Sequence, residues 1–165
     1  MSSPYVYKDH TGSDYAETYI LKCATEALMK QQGFEIKTTF SSDSEKEKYN
    51  NEYDELFNTC KKSLYSAGYR IYTSIDMEKQ KQLQDSVSSQ LSMFTEKTDD
   101  GVYKVQGAAV SIDNSTGKVA AIVGGREEDQ EGYGLNRAYQ SFRQPGSAIK
   151  PLLVYTPALK EMEPE

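Results

Sequence analysis

The chain has 165 residues, a hydrophobic share of 37% and a formal net charge of −6, enough for one ordinary domain or for a small unit plus part of another. Its 13 tyrosines carry much of the apolar surface, so part of the chain is expected to pack poorly alone. An acidic balance with a pI near 5.0 lacks the basic footprint of a nucleic-acid binder and offers no dense cationic stretch for an anionic membrane surface.

The longest apolar runs, "VAAIVGG" and "PLLVY", are too short to span a bilayer. No signal peptide is expected at Met1-Ser2-Ser3, because neither a charged nor an apolar region follows it, and any targeting segment is expected beyond these residues. Ser13 or Asp14 can cap a helix on which Tyr15, Tyr19, Cys23 and Ala27 fall four apart, with Gly33 past its end. The first half of "TTFSSDSEKEKYNNEYDE" reads as a solvated loop. From about Lys46 a second helical pattern runs through Tyr49, Tyr53, Leu56, Phe57, Cys60 and Leu64 and closes at Gly68. The two helices are expected to pack on each other. Cys23 and Cys60 would then face inward as two buried thiols rather than a bridge.

At Tyr69 the texture changes, and a domain boundary is expected near Gly68. "YRIYTSI" is β-branched and aromatic, the pattern of a strand. Asp76 caps a polar helix to about Leu91. After the loop "EKTDDG", the runs "VYKVQGAAVSID" and "KVAAIVGG" flank "NSTG", which predicts an antiparallel hairpin, central in a sheet because both its faces are apolar. A Gly-rich acidic loop follows. A last helical run begins after Gly146 and is bent or ended by Pro157.

Two Ser-x-x-Lys pairs occur among 17 serines and 15 lysines, about the number chance supplies. Ser115 to Lys118 lies in the hairpin turn and reads as structural. Ser147 to Lys150 follows the Pro145-Gly146 turn at the start of a helix, where positions three apart share a face. A neutral lysine amine there can take the serine proton as the oxygen attacks a carbonyl. An N-capping serine beside a solvated lysine fits the same residues. His10, the only histidine, is a poor partner for a Ser-His-Asp triad. Glu127, Glu128, Asp129 and Glu131 miss calcium-loop spacing, and no Cys/His spacing holds a metal, so neither metal nor cofactor is expected. Asn114-Ser115-Thr116 matches a glycosylation acceptor but has no secretory context.

The ordered set "YRIYTSID…KQ", "GAAVSIDNSTGKVAAIVGGR" and "LNRAYQSFRQPGSAIKPLLVYTPAL" closely resembles bifunctional (class A) penicillin-binding proteins, over about Tyr69 to Leu159. The resemblance implies an α+β, partial transpeptidase (β-lactamase-like) fold: a helical linker over 1–68, then the N-terminal part of a transpeptidase domain over 69–165, with an antiparallel hairpin and a nucleophile-bearing helix packed against it. Carried over by position, it makes Ser147 the acylated nucleophile and Lys150 its general base. The parent would cross-link peptidoglycan stem peptides through an acyl-enzyme from D-Ala-D-Ala, and β-lactams would acylate the same serine. It would also carry a glycosyltransferase and be anchored at the extracellular face of the bacterial cytoplasmic membrane.

The family's two later motifs, Ser-x-Asn and Lys-Thr/Ser-Gly, do not follow Ser147; the nearest match is His10-Thr11-Gly12, on the wrong side of it. These 165 residues are therefore expected to be a truncated, inactive piece, with self-association through an exposed sheet. A non-catalytic linker or interaction module is the alternative.

Overall fold

A computed structural model describes residues 15–126 and 135–162. The capping candidates Ser13 and Asp14, His10, and the acidic run Glu127 to Glu131 lie outside them. Two long helices come first, α1 (Tyr15–Gln31) and α2 (Asp43–Ser66). Leu28 and Met29 of α1 meet Cys60 of α2, and Phe34, Tyr53, Leu56, Phe57 and Leu64 pack around them. The α2 face thus follows the predicted periodicity.

The α1 face does not. Tyr15 is buried, but Cys23 and Ala27 are exposed, and burial passes to Thr25, Leu28 and Met29. A four-residue repeat drifts by about 40° per step on a helix of 3.6 residues per turn, so its last members rotate out to solvent. Of the two thiols expected inside, Cys60 is buried and Cys23 is not.

Helix α2 starts three residues before Lys46, because Ser42 caps it: Ser42 Oγ accepts from Glu45 N at 3.2 Å, and Glu45 accepts from Ser41 N at 2.9 Å. Gly68 closes it with φ of 68°. "YRIYTSI" then forms no regular strand. It runs alongside the hairpin, with Tyr69, Ile71 and Tyr72 exposed. Its contacts there are single ones: Ser74 Oγ donates to the Val119 carbonyl at 2.7 Å, and Asp76 N donates to that of Ala120 at 2.8 Å. A side-chain hydroxyl occupies a place that ladder pairing would need.

Helix α3 (Met77–Leu91) is capped by Asp76, as expected, through Glu78 N and Lys79 N. The hairpin pairs β1 (Ala109–Asp113) with β2 (Lys118–Val123) antiparallel, Ala109 opposite Val123 and Asp113 opposite Lys118, with an irregularity between Ser111 and Ile112. Gly117 turns the chain at φ of 69°. Ser115 donates from both its amide and its hydroxyl to Asp113 Oδ1, at 2.8 and 2.7 Å. These bonds hold the Asp113 carboxyl below the usual carboxylate range, so the first Ser-x-x-Lys pair is a turn device. The long run before β1 is not strand throughout. A small loop closes around Gly101, and Gly107 lies tight against Leu91.

The hairpin is not central: among the described residues the sheet has two strands. On its other edge β2 meets α3. Gln80, 6% exposed, accepts from Ile122 N at 2.8 Å and donates to the Ile122 carbonyl at 2.9 Å. Gln84 donates to the Gly125 carbonyl at 3.2 Å. A side-chain amide thus pairs with β2 as a neighbouring strand's peptide would.

Candidate functional site

Pro145 and Gly146, the latter at φ of 53°, turn the chain into a 3₁₀ turn over Gly146–Ile149. Lys150 N donates back to the Ser147 carbonyl. Lys150 stands just past the 3₁₀ turn, as its C-cap, three residues after Ser147. The two predicted residues are thus linked through the backbone at the end of this turn. Both are open to solvent, as is nearly all of 141–162; Ile149 and Ala158 are half-buried.

Beyond Lys150 the helix widens. A π-helical turn, Pro151–Tyr155, runs into a short α-helical turn, α5 (Thr156–Ala158). Thr156 N donates to the Pro151 carbonyl five residues back, and Thr156 Oγ1 adds a bond of 2.6 Å to the same oxygen. Pro157 has no N–H for Leu153, and its ring would collide with that carbonyl in an α-helix. The wider turn accommodates the ring, and the helical run ends at Ala158, one residue past Pro157. The expected packing of this helix on the hairpin is not seen. Leu152 and Leu153 are each 68% exposed, and Val154, Tyr155, Leu159 and Met162 are also open.

What fixes the segment lies just before it. Helix α4 (Arg137–Gln140) is capped by Asn136, whose Oδ1 accepts from Ala138 N at 3.2 Å. Asn136 is fully buried, and its Nδ2 donates to the Tyr15 carbonyl at 2.9 Å and to Thr18 Oγ1 at 3.4 Å. Arg137 N donates to the Gly124 carbonyl at 3.1 Å. A Cβ at Gly124 would lie 2.6 Å from the Asn136 Cα, and one at Gly125 2.9 Å from the Tyr15 ring. The Gly-Gly pair is therefore a close approach of three chain segments. Next to it Arg126, 2% exposed, donates to the carbonyls of Leu91 and Phe94 at 3.1 and 2.8 Å, its guanidinium 3.5 Å from the Tyr103 ring centre. It satisfies the C-terminal end of α3. Sequence reading missed Gln80, Asn136 and Arg126; polar residue types gave no sign of burial.

An open cleft of about 470 Å³ lies between α1, α2 and α4. Lys22 and the Tyr53 hydroxyl both donate to Glu26 Oε1 there, at 2.7 and 2.8 Å. Burial, aided by Glu26, raises the Tyr53 phenol, and burial also raises Tyr139. Tyr19 is pushed up to about 12, mainly by burial. Neither Ser147 nor Lys150 lines this cleft. Among the described residues no group of His, Cys, Asp and Glu could hold a metal ion, and no helix is long and apolar enough to cross a membrane.

The family "Penicillin binding protein transpeptidase domain" matches residues 107–162, from the approach to β1 through the Ser147 turn to the end of the described chain. This stretch is similar to part of a penicillin-binding protein transpeptidase domain. Penicillin-binding protein 4 of Bacillus subtilis is 34% identical over 148 residues, 90% of this chain and 21% of that protein. Penicillin-binding protein 1A of Clostridium perfringens is 35% identical over 149 residues, 87% of this chain and 18% of that protein. Penicillin-binding protein 2a of Streptococcus pneumoniae is 38% identical over 112 residues, 67% and 15% of the two chains. The chain thus spans about a fifth of the length of these penicillin-binding proteins. No solved structure matches.

Proposed function

We propose that Ser147 is the nucleophile and Lys150 the general base of a D,D-transpeptidase of the class A kind. The observation that supports this reading is their three-residue spacing at the 3₁₀ turn after Pro145-Gly146, within the transpeptidase-domain match. The Ser147 oxygen attacks the carbonyl carbon between two D-alanines while a neutral Lys150 amine takes its proton. The C–N bond then breaks, and the departing D-alanine amine takes up a proton. An amine of a second stem peptide attacks the resulting ester, forms the cross-linking amide and returns the Ser147 hydroxyl. A β-lactam opens on the same oxygen and stays attached.

Residues 1–68 serve as a helical linker ahead of this domain, and the parent carries a glycosyltransferase and a membrane anchor at the extracellular face. The "RQPGS" run and the Gly-Gly pair support the class A assignment. Residues 1–165 alone acylate negligibly, because Ser147 and Lys150 are solvated and neither Ser-x-Asn nor Lys-Thr/Ser-Gly follows Ser147.

The test is covalent labelling by a fluorescent penicillin. The complete gene product labels, and Ser147→Ala and Lys150→Ala abolish it; persistent labelling of Ser147→Ala refutes the nucleophile. Stoichiometric labelling of residues 1–165 alone refutes their inertness.

A further inference from the structure

We propose that Asn136 is a positioning residue for acylation: its side-chain amide ties α1 to α4 and so sets where the Ser147 turn stands relative to the body of the protein. The inference rests on the reading of Ser147 as nucleophile.

Three observations carry it. First, Asn136 is fully buried, and its two side-chain functions are divided between elements: Oδ1 caps α4, while Nδ2 reaches the Tyr15 carbonyl and Thr18 Oγ1 on α1. Residues 121 apart in sequence are joined by one amide. Second, the fit is closed on the third side, since Gly124 of the chain leaving β2 has no room for a Cβ beside Asn136. Arg137 N anchors to the Gly124 carbonyl there, and Asn136 N donates to Gln140 Oε1 at 2.7 Å. Third, the chain from Ser141 to Pro145, which leads into the Ser147 turn, is exposed throughout, with Phe142 95% exposed. Helix α4 is thus the nearest anchored element before the nucleophile.

A serine has few rotamers, so its reach is set by its backbone. Reacting atoms must approach to about 3–3.5 Å, and a displacement of about 1 Å can cost roughly a hundredfold in rate. Releasing α4 from α1 is expected to shift the start of the segment that carries Ser147, because residues 141–145 are exposed and do not re-anchor it. Noncovalent affinity for a β-lactam, which depends on surfaces other than the Asn136 amide, stays nearly the same.

The experiment uses the complete gene product and fluorescent penicillin, resolving the saturating acylation rate from the noncovalent dissociation constant, well below each variant's melting temperature. Asn136→Ser keeps a capping oxygen and loses the Nδ2 donor. Its acylation rate is expected to fall about tenfold or more, with the dissociation constant within about twofold. Thr18→Val, which removes one acceptor of that donor, gives a smaller fall of the same sign and carries the test if Asn136→Ser does not fold. Leu28→Ala lowers the melting temperature from within the α1–α2 core and leaves the acylation rate unchanged. An unchanged rate in Asn136→Ser, or in Thr18→Val where only that variant folds, overturns the inference. An equal fall in Leu28→Ala also overturns it, since general loosening then explains the effect. Failure of the unmodified protein to label, or labelling of Ser147→Ala, instead overturns the reading of Ser147, and the inference with it.

Discussion

Replacing Gln80 by leucine removes the amide that stands in for a strand beside β2. The side chain is 6% exposed, and both its bonds, at 2.8 and 2.9 Å, go to the backbone of Ile122, itself buried. Leucine fills nearly the same volume, so the packing term is small, and the loss comes from the Ile122 N–H and carbonyl left without partners. Each such orphaned group costs about 1–3 kcal/mol. A total of about 2–6 kcal/mol is expected, a large share of the roughly 5–15 kcal/mol that holds a domain together. The melting temperature should fall by about 5–20 °C for a chain of this size. Urea unfolding followed by far-ultraviolet circular dichroism measures it. Gln82→Leu, two residues on and exposed, is the control and should stay within about 0.5 kcal/mol of the starting protein. If Gln80→Leu also stays within that margin, the amide does not act as a strand, and water must satisfy Ile122 instead.

Other expectations follow from the same contacts. Gly124→Ala forces Asn136 aside and should cost about 1–3 kcal/mol; an unaltered melting curve would mean that the three segments are not in close contact. A thiol reagent should modify Cys23 at once and Cys60 only on unfolding, because Cys60 is completely buried; equal rates would contradict the α1–α2 core. The raised phenols give an alkaline limit. Unfolded tyrosines ionise near 10.0, while Tyr19 holds its proton to about 12 and Tyr53 and Tyr139 are also raised. The folded state binds more protons in that interval, so stability is whole below pH 10 and falls as pH rises through the folded values. Tyrosinate absorbance should show a late-titrating subset that vanishes in urea; a single transition near 10 would refute it.

Much of this fold was legible because some residues act locally. Asp76 caps α3 with its own side chain, and Gly117 turns the hairpin by its own φ, so both were readable in place. The α2 stripe was readable because one face meets one partner. The α1 stripe was not: this helix serves α2 at one end and the Asn136 region at the other, and its buried face shifts between them. "YRIYTSI" has strand composition, yet strand formation needs a free partner, and α3 takes that side of β2 with glutamines. The Ser147–Lys150 pair was visible as spacing and distinguished from its Ser115 counterpart by its context. Its surroundings were not legible, since Asn136 and Gln80 look like ordinary surface residues until long-range contacts bury them.

The glutamine seal on β2 gives the hairpin a direction of growth. One border is finished in the way a hem finishes cloth, with the amide of Gln80 occupying the stitches of Ile122. Any strand that joins this sheet, from the same protein or from a second copy, must therefore arrive on the β1 side, beside Val110 and Ile112, which stand exposed. A charge placed on that border, such as Ile112→Lys, would deter such joining while leaving the hem untouched.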